Sequence, residues 1–324
     1  MTVKRWGKKN IRGKRIALSA VILFIFSLLS LILLLCAPSV VRGHMTEALS
    51  LCARTVVPSL FPFMVISELL LSGGCAKVIS PLLQPTAKSL FGISGESAAA
   101  VLIGFICGFP VGAKGAAALY RSGQIGRGEL ERILTFSCIP SAPFLISTVG
   151  ISMFGDGRLG ARLLISCLLS SVIIGIATKR MRFGDGETGS APKVAEDEQG
   201  IGRLFTSAVC SSALSVLYVC GFLTFFSTLV GVTEYTVREL NIPEQLRPLI
   251  LGFFELTGGM KEASEIVGAG GYAAAAIGGW SGLSVHFQVM SVCQGCNISF
   301  KPYFLSKLAS AVLCPVIMMF LELF

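Results

Sequence analysis

Charge is what this sequence has least of. Only 14% of its 324 residues are Asp, Glu, Lys or Arg, where a water-soluble domain carries about 25%. That is too few to cover a water-facing surface of this size. Histidine is scarcer still, with His44 and His286 alone. Cys293 and Cys296 form one CxxC, but no second pair or nearby histidine completes a four-ligand zinc site. HExxH, P-loop and dinucleotide-binding glycine patterns are absent. Gly279-Trp-Ser281-Gly282 matches the short pattern of an intramembrane serine protease. A serine nucleophile needs a base within hydrogen-bond reach, and His286 lies five residues on, about 140° round a helix. No enzyme, cofactor or metal is expected. The net charge of +9 accompanies no basic-aromatic surface or reader motif, which argues against nucleic acid as a partner.

What the chain does have is apolar length. Hydrophobic residues make up 53% of it, with a mean hydropathy of +0.77. Lys4, Arg5, Lys8, Lys9, Arg12, Lys14 and Arg15 form a basic tail over 1–15, which the positive-inside rule retains in the cytoplasm. The uncharged run 16–37 is about twice a signal-peptide core and reads as an uncleaved signal anchor. Further apolar segments fall at 55–72, 96–120, 132–154, 158–178, 204–230, 248–267, 272–294 and 303–322, each near the ~20 residues that cross a bilayer. Most of the eleven cysteines lie inside these runs and act as small hydrophobes. The expected class is an all-α polytopic protein of a bacterial membrane, with the lipid bilayer as its first partner.

Several segments are interrupted: Gly108-Phe-Pro110 in 96–120, Pro140 and Pro143 in 132–154, Gly258-Gly259 in 248–267. Backbone freed at membrane depth is tolerated only where protein or a water-filled cavity satisfies it, so such breaks point to a binding site. The polar stretch 183–203 reads as a flexible linker between a first membrane repeat, 45–182, and a second, 204–324. Leu102-Ile-Gly-Phe-Ile-Cys-Gly-Phe-Pro-Val-Gly-Ala-Lys114 parallels Ile250-Leu-Gly-Phe-Phe-Glu-Leu-Thr-Gly-Gly-Met-Lys261 with a one-residue gap. If every segment spans, the basic linker falls outside. If 96–120 and 248–267 are re-entrant hairpins, with arms of about ten residues or roughly 15 Å, then Arg121, Arg127, Arg132, Lys179 and Arg203 all become cytoplasmic. The halves then run in opposite senses, as two inverted-topology repeats with the site between their broken elements.

The ionisable residues in these runs are the candidate site. Lys114 and Lys261, with Gly108, Pro110, Gly112, Gly258 and Gly259 at the breaks, are candidates for binding a small anionic metabolite, because helix N-termini also favour negative charge. The alternative is that both lysines snorkel to an interface. Glu255 is a candidate for a coupling ion or a pair with Lys261. Glu68 sits near a helix end as a further polar-core candidate. Ser281, Ser284, Gln288 and Ser291 recur at helical spacing, as pore lining or as packing between helices. His286 falls off that stripe and reads as a polar-core residue.

Gly104-Phe-Ile-Cys-Gly-Phe-Pro-Val-Gly-Ala-Lys114, Leu119-Tyr-Arg121 and Glu129-Leu-Glu-Arg132 form one signature. Glu255-Leu-Thr-Gly-Gly259, Gly282-Leu-Ser-Val-His-Phe-Gln288 and Lys301-Pro-Tyr303 form another. Together they resemble the YlbJ-type sporulation membrane proteins of the nucleoside-recognition, or Gate, group, from about residue 45 onward. The chain departs from that pattern within Phe136–Pro143, where Ile139 and Ser141 replace more polar or glycine residues. The resemblance implies a role in endospore formation, in the cell membrane or a forespore membrane, and transport of dipicolinate, a rigid dianion. It leaves a neutral nucleoside carrier and a non-transporting scaffold for envelope assembly as alternatives.

Overall fold

A computed structural model describes residues 3–72, 75–181, 183, 200–236 and 242–323, with side chains from residue 20 onward except at 71, 72, 75–77, 234 and 236. Most of the linker lies outside the described residues. The elements are α1 (Val3–Cys36), α2 (Pro38–Leu51), α3 (Val57–Ser72), α4 (Cys75–Leu90), α5 (Gly95–Cys107), α6 (Val111–Arg121), α7 (Arg127–Ser137), α8 (Gly157–Thr178), α9 (Ile201–Thr236), α10 (Arg247–Phe254), α11 (Leu256–Ser264), α12 (Gly270–Trp280), α13 (Leu283–Val292) and α14 (Lys301–Leu321), with π-helical turns at Cys52–Val56 and Phe144–Met153. No strand occurs among the described residues.

Among the described residues, four helices are long and apolar enough to cross a bilayer: Pro38–Leu70, Gly157–Thr178, Ile201–Thr233 and Lys301–Leu321. The pair Val78–Leu90 and Gly95–Cys107, bent by 89°, would add a fifth. Exposed leucine, isoleucine and phenylalanine line α1, α8, α9 and α14, the surface that lipid rather than water covers. The protein is an all-α polytopic membrane protein.

Two features depart from the sequence expectation. The helix expected from residue 55 begins at Pro38 and runs on through the π turn as one column. Its early part was hidden by Arg42, His44, Glu47 and Arg54, which face an open vestibule rather than lipid. Helix α4, absent from the expected segments, is amphipathic with Pro81 and Pro85 inside it; a one-faced apolar pattern does not register as a span.

The element order repeats. Each half places two short helices about a break (α5 and α6, α10 and α11), then a second interrupted pair (α7 and the π segment, α12 and α13), then one long apolar helix (α8, α14). The first pair of each half folds back as a hairpin, and glycines set how closely. A Cβ at Gly104 would lie 2.9 Å from the Gly112 Cα, and a Cβ at Gly259 would lie 2.3 Å from the Gly252 Cα. These are equivalent positions in the alignment of the two halves. The base of the first hairpin is held where Ser94 N donates to Glu129 Oε1 (2.7 Å). The base of the second is held by Arg247 and Glu262 (3.7 Å).

Each hairpin tip docks on the unwound part of the neighbouring interrupted pair. Phe109 N donates to Ile139 O (3.0 Å), and Gly108 lies against Ser141 so closely that a Cβ would meet its backbone N at 2.5 Å. In the second half Gly282, at φ 81°, lies against Leu256 N and Gly252 O. One apolar core joins α5–α8 to α11–α14. A second joins α2 and α3 to α9 and the first hairpin. The seam between these two cores is where the site lies.

Candidate functional site

Both hairpin tips and both unwound stretches meet at a cavity of about 40 Å³. One wall is Val56, Leu60, Val219 and Leu223 from the first π turn, α3 and α9; the other includes Ser141, Glu255, Thr257, Ser284 and Gln288. The N-terminal turns of three half-helices line it, at Phe144, at Leu256–Thr257 and at Ser284–Val285. Helix N-termini carry partial positive charge and unpaired N–H groups. Gln288 is buried and its Oε1 has no hydrogen-bond partner, which in a native interior calls for a ligand or water.

Glu255 occupies one of these N-termini itself. Its carboxylate accepts from Thr257 N (2.9 Å) and Gly258 N (2.6 Å), because its extended backbone (φ −138°, ψ 122°) makes it the N-cap of α11. It is 4% exposed. Glu255 and Thr257 also line the much larger vestibule, of about 1250 Å³, with Arg42, His44, Arg54 and Lys261. The vestibule thus leads to the carboxylate from one end of the molecule.

The structure does not bring the two candidate lysines together. Lys114 pairs with Glu68 (3.0 Å) and donates to Ser211 and Ser215 of α9. Lys261 pairs with Glu47 (2.7 Å), not with Glu255. Both glutamates belong to the α2–α3 column, twenty-one residues and so about 30 Å apart along it. Each hairpin lysine is therefore tied to one end of the same column, and a single dianion cannot bridge them. The expectation of one lysine-lined host is corrected: the two charges are neutralised separately, near opposite ends of the molecule. Lys261 and Glu47 have side chains 57% and 62% exposed, so truncating either to alanine should lower stability by less than about 1 kcal/mol in thermal unfolding.

Other residues resolve in the same way. Ser284 and Gln288 reach the cavity, but the expected stripe is interrupted: Ser281 adopts φ 78° at the break and turns toward α14, and Ser291 donates to Gln288 O. His286 does not face the cavity. Its Nδ1 lies 2.8 Å from the Tyr303 hydroxyl, and its ring packs edge-on against Trp280 and Phe304. Gly108, Pro110 and Gly112 shape the first hairpin tip and arm, as Gly258 and Gly259 shape the second. Cys293 and Cys296 are buried free thiols, and no metal-binding cluster occurs among the described residues.

Sequence reasoning missed Lys307. It is 3% exposed in the middle of the core and donates from Nζ to Cys138 O and to Ser281 Oγ. The signal was present: a lone lysine six residues into an apolar helix is a functional candidate by its desolvation cost.

No family model matches the chain, and no solved structure matches it. It is 28% identical over 307 residues to the "Sporulation integral membrane protein YlbJ" of Bacillus subtilis (strain 168), an alignment covering 84% of this chain and 75% of that protein. With its helical membrane architecture, that similarity supports a YlbJ-type assignment, that of a sporulation-associated integral membrane protein.

Proposed function

We propose that this protein is a carrier for a small organic anion, with dipicolinate as the leading substrate, and that it alternates access to the cavity between its two hairpin tips. The observation that carries this reading is the convergence of two half-helix N-termini beyond the one Glu255 caps, at Phe144 and at Ser284–Val285, on one buried cavity beside the buried Gln288, whose amide nitrogen can donate to a carboxylate. Interrupted helices with positive ends at the substrate are how many secondary transporters are built. A membrane scaffold has no use for such breaks, each of which exposes backbone that must be satisfied at depth.

The cavity of about 40 Å³ accommodates water but not a ring dicarboxylate. The reading therefore requires the α2–α3 and α9 wall to separate from the hairpin tips. The wall is suited to this, since at the cavity it meets the tips through the side chains of Val56, Leu60, Val219 and Leu223. In this view the two hairpins enter from opposite faces, as their lysines at opposite ends of one column support. The vestibule at Lys261 is then the outer access path. Lys114 and Lys261 act as anchors of the hairpins to the column rather than as substrate ligands.

The test is uptake into proteoliposomes, with labelled dipicolinate and a nucleoside compared side by side. Saturable dipicolinate flux several-fold above nucleoside flux is expected, with a Gln288→Leu variant reduced by at least about tenfold if it forfeits a hydrogen bond to a charged ligand. Nucleoside flux alone would move the assignment to a neutral carrier. Flux of neither would leave the scaffold.

A further inference from the structure

The N-terminal ends that line the cavity belong to the π segment, α11 and α13, whereas the C-terminal ends of α7 and α12 face Lys307. The last carbonyl of the first interrupted helix, at Cys138, accepts from the Lys307 ammonium, and so does the hydroxyl of Ser281, which closes α12. One ammonium thus joins the C-terminal ends of α7 and α12, the two interrupted helices of the two halves. In carriers built from broken helices, unwound carbonyls and half-helix C-termini hold the coupling cation, while the N-termini hold the anionic substrate. Here the cation position is filled by a side chain of the protein.

We infer that Lys307 is the coupling site, and that the coupling ligand is a proton rather than sodium. This rests on the carrier reading above. A tethered ammonium at that position excludes a metal cation by occupancy and like charge, but an amine can lose and regain a proton. The protonated form donates to both breaks and pins α7 to α12. The proton goes to water once the seam opens, and its loss removes the charge that holds the Cys138 carbonyl and the Ser281 hydroxyl, and so the two helix ends, together. The surroundings allow this. Lys307 is 3% exposed and makes no ion pair among the described residues. The titratable groups facing it are the Cys138 thiol at the end of α7, Cys167 on α8, Cys314 and Tyr303 on α14, and the His286 imidazole on α13; none is a carboxylate. A lysine whose task were only to brace the fold would be expected to carry a buried carboxylate partner, since an uncompensated buried charge is costly. The two deeply buried carboxylates are engaged elsewhere, Glu255 by the α11 N-terminus and Glu131 by Arg127 and Ser299 N.

The experiment uses the purified full chain in proteoliposomes with labelled dipicolinate. Exchange between equal internal and external pools needs no driving force; net uptake does. Wild-type protein should exchange dipicolinate, and a one-unit pH gradient should drive up to about tenfold accumulation for one coupled proton. A sodium gradient should drive none. Lys307→Gln and Lys307→Arg each keep donors for Cys138 O and Ser281 Oγ but do not titrate. In either variant net uptake should no longer respond to the pH gradient, at whatever rate exchange proceeds. An entrapped pH indicator supplies a readout independent of the variants: dipicolinate added to wild-type vesicles should shift internal pH. Net uptake that ignores the pH gradient, or follows sodium, overturns the inference and leaves the carrier reading standing. So does a pH response preserved in a folded Lys307 variant. Absence of any exchange by wild-type protein overturns both.

Discussion

Gly259→Val should remove nearly all folded protein from detergent extracts, with a loss of about 3 kcal/mol or more. The side chain has nowhere to go. A Cβ at Gly259 would lie 2.3 Å from the Gly252 Cα, 2.5 Å from its N and 3.1 Å from Pro248 O. All three are backbone atoms of the facing arm, so no rotamer change relieves the clash. The hairpin has to open, and opening it separates α11 from α10 and displaces the tip from Gly282. Gly104 and Gly112 make the same approach in the first half with more room, at 2.9 and 3.0 Å. Gly104→Ala should therefore cost less than Gly259→Ala. Gly126→Ala, where nothing lies within 4 Å and the backbone is extended at φ −82°, should change little. Size-exclusion profiles and thermal midpoints of the four variants should fall in that order. A Gly259→Val protein as stable as wild type would mean that the arms do not pack as described.

Glu255→Ala should produce the second large loss, about 2–4 kcal/mol. The carboxylate satisfies two N–H groups at the start of α11, and Thr257 is itself buried. Deletion leaves the buried Thr257 N–H unmet, at close to its full desolvation cost, and the part-buried Gly258 N–H to water from the vestibule. Glu255→Gln keeps one acceptor oxygen and should lose roughly half as much, since bonds to a charged acceptor are about twice as strong as neutral ones. The contrast is with Glu68→Ala, whose carboxylate is 22% exposed and pairs with a lysine that has two serines as further partners. Water can replace that contact, so the loss there should stay near 1 kcal/mol. Equal losses at the two glutamates would show that Glu255 is not an interior cap.

Much of the fold was legible because it is written in hydrophobic length and in breaks. Leu102–Lys114 and Ile250–Lys261 align with a one-residue gap, and their glycines are the pairs that close the two hairpins. Ser284, Gln288 and Glu255 stood out because polar groups in apolar runs need a protein or water partner, and all three line the cavity. What stayed hidden depended on which neighbours arrive in space. Nothing in the sequence says that Lys114 and Lys261 meet Glu68 and Glu47 on one helix, because the pairing is set by how two hairpins dock on a column far away in the chain. His286 was read off the stripe, yet its partner Tyr303 could not be foreseen. Lys307 was visible as a charge but not as a link between Cys138 and Ser281, 169 and 26 residues away. The vestibule-lining part of α2 was hidden for a different reason: its charges face water inside the molecule, which hydropathy cannot distinguish from a loop.

The central claim is that the two hairpins enter from opposite faces and enclose one site. Gln124, just beyond the second arm of the first hairpin, and Glu265, just beyond that of the second, are both exposed. Each can be replaced by cysteine in a chain whose native cysteines are serine or alanine, and probed with an impermeant thiol reagent applied to intact cells and to inside-out vesicles. The account predicts that Gln124→Cys reacts only from the cytoplasmic face and Glu265→Cys only from the outer face. Reaction of both from the same face would contradict it.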